Sequence, residues 1–204
     1  MTPEALAIIF LALAVGAFAK GITGIGLPPV SIAILAVFFG VEHAIVVTTI
    51  PVAFANFQIV WVWRKRWREV PQIWLPFIFA SAGVAVGTWV LATLDEKVLT
   101  IILTIWIAFY LLTVSLNFKI EPKGRAARIF SPLVAGAAGI CQGATGMSGP
   151  LIATWAHAWG FVKETYVFAT ALLFTSISVT HVIGITIVGL YDQERIIQGL
   201  LAII

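Results

Sequence analysis

Apolar residues fill this chain in long uncharged runs, and the charged positions gather in short gaps between them. Three runs predict membrane-spanning helices: Ala44 to Trp63, Ile73 to Ala92 and Val98 to Asn117. A fourth, Thr165 to Leu190, is broken only by His181 and glycines. Each supplies the roughly 20 residues that a helix rising 1.5 Å per residue needs to cross hydrocarbon. Two further runs, 5–18 and 30–39, are too short to cross comfortably, and a glycine-rich block, KGITGIGLPP, lies between them at 20–29.

That block recurs. Residues 142–151 read QGATGMSGPL, and at an offset of 122 Gly21, Thr23, Gly24 and Pro28 fall on Gly143, Thr145, Gly146 and Pro150. Glycine and proline disfavour continuous helix through backbone entropy and a missing donor. Two helix breaks at matching positions of a long internal repeat point to a duplicated transporter. The expected architecture is an all-α polytopic membrane protein, an inverted-topology repeat transporter with broken or re-entrant helices at the two glycine-rich motifs. Residues 1–204 form one transmembrane domain, with repeat one at about 4–117 and repeat two at about 130–204. The offset maps Arg195 onto Ile73, so the second repeat is incomplete. The terminal LLAII would leave a carboxylate in hydrocarbon. Either the chain is truncated there or a partner subunit completes the fold.

Composition agrees with the membrane reading: 61% of the residues are hydrophobic and 10% charged, with a mean hydropathy of +1.06. Soluble domains carry about 25% charged residues. The start lacks the positive region of a cleavable signal peptide, and the lone Cys141 can form no internal disulfide. The net charge of +3 reflects topology rather than nucleic acid. Basic residues cluster in two short loops, RKRWRE at 64–69 and KIEPKGRAAR at 119–128, which the positive-inside rule places in the cytoplasm. Two spans separate them, and Asp95, Glu96 and Lys97 at the intervening turn suit the outside. Trp61, Trp63, Trp67 and Trp74 read as an interfacial belt. An odd number of crossings then separates the two glycine blocks, which inverts the second repeat relative to the first.

The candidate chemistry sits at the breaks. An unwound segment followed by a helix start exposes amide N–H groups at the positive end of the helix dipole, which suits an anion. Two breaks meeting near the midplane would make a cradle from Gly21, Thr23, Gly24 and Gly26 on one side and Gln142, Gly143, Thr145, Gly146 and Ser148 on the other. Pro28 or Pro29, and Pro150, suit the first turn of the helix that follows each break. Lys20, an intramembrane ammonium, would add positive charge; the alternative is snorkelling to an interface. The glycines could equally be a small-residue packing face, and the hydroxyls of Thr23, Thr145 and Ser148 could bond back to helix carbonyls. Asn56, deep in its span, serves as interhelical glue or lines a cavity. His157 could titrate and couple protons, or be an interfacial histidine among tryptophans. His181 faces either a neighbouring helix or the pore.

FAKGITGIGLPPVSIAIL resembles the first signature of the TauE/SafE (sulfite exporter) family of permeases, a lysine followed by GxTGxG. GATGMSGPLIATWAHAWGFVKETYVFATAL resembles its second. The resemblance covers about residues 5 to 190. It implies a transporter, often an exporter, of sulfite, organosulfonates or similar small anions, working by alternating access in the cell inner membrane. HExxH, GxSxG, P-loop and metal-spaced cysteine–histidine patterns are absent from the sequence, so no enzyme activity, cofactor, metal or nucleic acid is expected. The expected partners are a small anion and the lipid bilayer, with a homo-oligomer left open. The competing readings are a membrane scaffold subunit and an intramembrane enzyme.

Overall fold

The computed structural model describes residues 3–23, 27–70, 73–116 and 125–203. Among them are nine α-helices and no strand: α1 Pro3–Thr23, α2 Leu27–Phe39, α3 Val41–Trp63, α4 Trp74–Thr93, α5 Glu96–Ser115, α6 Arg125–Thr145, α7 Gly149–Ala158, α8 Lys163–Ile187 and α9 Gln193–Leu201. The basic segment Arg64–Glu69 forms a 3₁₀ turn after α3. Five of these segments are long and apolar enough to cross a bilayer: Pro3–Ile22, Val41–Glu69, Trp74–Thr93, Glu96–Thr113 and Lys163–Ile187. All four long uncharged runs therefore lie on helices of spanning length. The molecule is an all-α polytopic membrane protein.

The expected limits of the short runs need correction. The first helix does not stop at residue 18 but continues through Lys20 and Gly21 to Thr23. Its 21 residues are enough to span. Likewise α6 runs through Gln142 and Gly143 to Thr145. Isolated glycines cost a helix only about 1 kcal/mol each, which the surrounding apolar residues and tertiary contacts outweigh. The second chain reversal comes later, where Gly146 adopts φ 70° before α7 begins with Pro150 in its first turn.

Each break joins a helical hairpin. In the first, Ser31 Oγ donates to the Ala12 carbonyl at 3.0 Å, while Gly16 abuts Leu27 and Ser31. Positions climbing along α1 meet positions descending along α2, so the two run antiparallel. In the second, Ser131 on α6 accepts from the indole N–H groups of Trp155 at 2.6 Å and Trp159 at 3.0 Å. The start of α3 at residue 41 recurs at residue 163 for α8, 122 residues on, which is also the offset of the glycine blocks.

The long helices α3 and α8 pack against each other in opposite directions. At the start of α3, Glu42 pairs with Arg195, beyond the end of α8, at 2.8 Å. At the start of α8, Glu164 pairs with Arg66, beyond the end of α3, and Thr165 donates to Glu69. Buried apolar residues form two clusters. One joins α1, α2, α3 and α5 around Leu35, Ile45 and Leu99. The other joins α4, α6, α7 and α8 around Val84, Ile152 and Leu173. Large apolar side chains such as Phe18, Ile22, Trp89, Ile105 and Ile187 point outward, as a surface facing hydrocarbon requires.

The most intimate helix pair is α4 with α6. A Cβ on Gly83 would meet the Gly136 carbonyl, one on Gly87 the Ile140 carbonyl, and one on Gly139 the Ala80 carbonyl. The absence of side chains lets two backbones touch, the small-residue packing familiar from membrane helices. The α4·α6 contact accounts for Gly139 and Gly143 by packing alone.

Candidate functional site

Lys20 is half-buried near the end of α1. Its ammonium donates to Asn56 Oδ1 at 3.1 Å, and Asn56 Nδ2 donates in turn to the Val52 carbonyl at 2.9 Å. Asn56 is 4% exposed and anchored by this turn of α3, so it fixes where the lysine points. The bond uses one of the three ammonium donors. Asn56 thus does both things expected of it, linking two helices and lining a cavity.

That cavity has a volume of about 390 Å³, within the range of small-molecule sites. Ala17, Lys20 and Gly21 of α1 and Asn56 and Ile59 of α3 form one wall. Ile152 and Ala153 of α7 and Tyr166, Val167, Thr170, Ala171 and Phe174 of α8 form the other. Both halves of the chain therefore contribute. The lining is mostly apolar, with a cation, an amide, a phenol and a hydroxyl converging on it. Nothing lies within 4 Å of a Cβ placed on Gly21, so this glycine leaves open space beside the lysine.

The residues of the second break do not reach this cavity. Gln142, Thr145 and Ser148 are 2%, 3% and 1% exposed and bond among themselves. Gln142 Nε2 donates to the Gly146 carbonyl at 3.0 Å, and Ser148 Oγ donates to Gln142 Oε1 at 2.8 Å. Thr145 Oγ1 donates to the Cys141 carbonyl at 2.7 Å, the back-bonding alternative. A Cβ on Gly146 would strike Ile32 and come within 3.4 Å of Ile45. Ile45 and Asn56 are eleven residues apart on α3, about 16 Å along the axis. Lys20 and Gly146 thus sit at different depths rather than converging.

The amide cradle also changes. Lys20, Gly21, Gln142, Gly143 and Thr145 lie in helix, where backbone N–H groups bond to carbonyls four residues back. They have no free amide to offer an anion. Gly24 and Gly26 fall outside the described residues, and so does the side chain of Thr23. His157 is exposed and packs on Tyr166, with ring centroids 5.0 Å apart. His181 is fully buried. Among the described residues no group of three or more His, Cys, Asp or Glu could hold a metal ion.

Sequence reading missed Tyr166 and Thr170 as lining residues. Nothing local signals them, since they border the same cavity as Lys20 only because α8 packs on α3. The Lys20–Asn56 bond spans 36 residues and is equally invisible to spacing rules. An uncharged span carrying one asparagine at depth was the available signal.

A comparison with protein families matches residues 8–204 to the family described as sulfite exporter TauE/SafE. No curated protein and no solved structure matches the chain. With a match across nearly its whole length, and five helices able to span a bilayer, the chain belongs to the TauE/SafE sulfite exporter family of multi-pass membrane transporters.

Proposed function

We propose that the protein moves a small sulfur-containing or organic anion, of the sulfite or organosulfonate class, by alternating access, and that the anion binds in the Lys20 cavity. The carrying observation is a cation oriented by Asn56 in a pocket built by both repeats. The ammonium donors left by Asn56, with the Tyr166 phenol, receive the oxyanion, and the apolar wall, with the back-bonded Thr170, accepts an organic substituent. In a site screened from water the charge attraction is far stronger than in bulk. The second break acts as a rigid, internally bonded corner rather than as half of the binding site.

The transport cycle rocks one repeat against the other about the α3–α8 contact. An inverted repeat is supported by the antiparallel run of these equivalent helices and by the crossed pairs Glu42–Arg195 and Glu164–Arg66. The membrane is the cell inner membrane, with loops 64–69 and 119–128 cytoplasmic by their positive charge.

The test is thermal stability of the purified protein against sulfite, sulfate, thiosulfate, taurine, sulfoacetate, acetate and chloride. A ligand that binds only the folded state stabilises it by RT ln(1 + [L]/Kd). Selective stabilisation by sulfite or a sulfonate, lost in Lys20→Met, is the expected result. A flat response, or one unchanged in Lys20→Met, would count against the cavity as the anion site.

A further inference from the structure

The first repeat lines the cavity with Ala17, Lys20, Gly21, Asn56 and Ile59. The 122-residue offset carries these onto Gly139, Gln142, Gly143, Ser178 and His181. Of this second set, Gly143 lies beside His181 where α4, α6 and α8 pack, while Gln142 turns to Gly146 and Ser148. The Gly143 backbone faces the His181 ring without completing a hydrogen bond. Gly143 also abuts the backbone of Val84 and Thr88, and Thr88 Oγ1 lies 3.2 Å from a Cβ placed on Gly184, one turn beyond His181.

Ser178 and His181 are both 0% exposed. Ser178 Oγ and both ring nitrogens of His181 have no hydrogen-bond partner, and they are the buried side-chain nitrogen and oxygen atoms of which this is true among the described residues. A buried donor or acceptor left unmatched costs about 1–3 kcal/mol, and an aliphatic residue, as at Ile59, would fill the space without that cost. Three such atoms at the counterpart of a ligand cavity point to polar groups kept for a ligand.

The charges around the ring decide what ligand. Helix α4 carries no charged residue, and α6 brings only Cys141 near Gly143, with Arg125 and Arg128 at its far end. On α3, Glu42 and His43 lie in the first turn, engaged with Arg195 and Gln198. On α7, His157 is exposed and stacks on Tyr166. Lys163 and Glu164 are at the opposite end of α8, by the 64–69 turn, whose Glu69 binds Arg66 and Thr165. An imidazolium at position 181 therefore has no protein counter-ion, and an uncompensated charge at that depth is costly. An anion lying beside it would supply the missing charge.

We propose that Ser178 and His181 form a second anion subsite, the pseudo-symmetric counterpart of the Lys20 cavity, which accepts the substrate only together with a proton on the imidazole. Lys20 is then the permanent cation of one subsite and His181 the conditional cation of the other. As the anion passes from Lys20 to His181 the imidazole takes up a proton from water, and it returns that proton to water when the anion leaves, which ties proton movement to transport. The inference rests on the transport reading above, and it moves proton coupling from His157 to His181.

The experiment is nitrogen-15 NMR of the imidazoles in the full chain in lipid nanodiscs. The chain has three histidines, so His43→Gln and His157→Gln assign the third signal without disturbing the buried site. Methanesulfonate is the probe, because its charge does not change over the titration from about pH 8 to pH 5. The expected result is that the His181 signal moves to its protonated form when methanesulfonate is present and not in its absence, and that Ser178→Ala weakens this dependence. A His181 signal indifferent to the anion, while methanesulfonate still raises the melting temperature, overturns this subsite and leaves the Lys20 reading intact. No stabilisation at any pH overturns both.

Discussion

The two glycines that match across the repeat should respond to the same substitution with opposite signs. Gly21 and Gly143 hold the same place in their motifs, yet nothing lies within 4 Å of a Cβ on Gly21, whereas one on Gly143 would stand 2.5 Å from the Val84 carbonyl and 2.6 Å from the Thr88 nitrogen. Ordinary contact begins at 3.4 Å, so α4 and α6 must part by about 0.9 Å. The obstructing atoms are backbone, and no rotamer change can relieve them. Overpacking of this kind costs about 1–3 kcal/mol, and a gap of that size along the rest of the interface forfeits about a quarter to a half of each contact. Against this, alanine gains about 0.5–1 kcal/mol over glycine in a helix. Gly143→Ala should therefore lose about 2 kcal/mol net, while Gly21→Ala should gain about 0.5–1 kcal/mol. Equilibrium unfolding by SDS in mixed micelles, followed by tryptophan fluorescence, reads both. Equal shifts of the same sign, or a Gly143→Ala protein as stable as the wild type, would refute the packing account of the second motif. Gly21→Ala should also weaken anion binding, since its methyl enters the cavity beside Lys20.

Two further outcomes follow from the second hairpin. Ser131→Ala should destabilise the protein by about 2 kcal/mol in thermal unfolding, because it orphans the buried Trp155 N–H and also that of Trp159. Gly146→Ala should cost about 1–2 kcal/mol for placing a side chain at φ 70°, with an added clash on Ile32. A melting temperature unchanged by Gly146→Ala would show that the corner can relax, against its role as a rigid element.

The transmembrane class was legible because it is written locally: hydrocarbon demands long uncharged helices. Lys20 stood out for the same reason, as a charge in a run that otherwise excludes charge. The break positions were legible only approximately. Glycine at 21 and 143 weakens a helix by too little to end it, and among the described glycines of the two blocks Gly146, with its positive φ, sits at a reversal. Proline was the better marker, since Pro28 and Pro150 both fall in the first turn of the helix that follows.

What the linear pattern could not contain was which side chains meet. Identical motifs serve different ends because α4 presses on α6 while Gly21 borders open space. Asn56 finds Lys20 across 36 residues, and Tyr166 and Thr170 reach the same cavity from the other half of the chain. His157 and His181 look alike in sequence, but one is exposed and the other wholly buried with no partner. Sequence by itself determined the membrane class and the long helices, because the solvent imposes those on each segment separately. Tertiary structure alone decided which glycine packs, which histidine is enclosed and where the lysine points, because those depend on how segments distant in sequence are brought together.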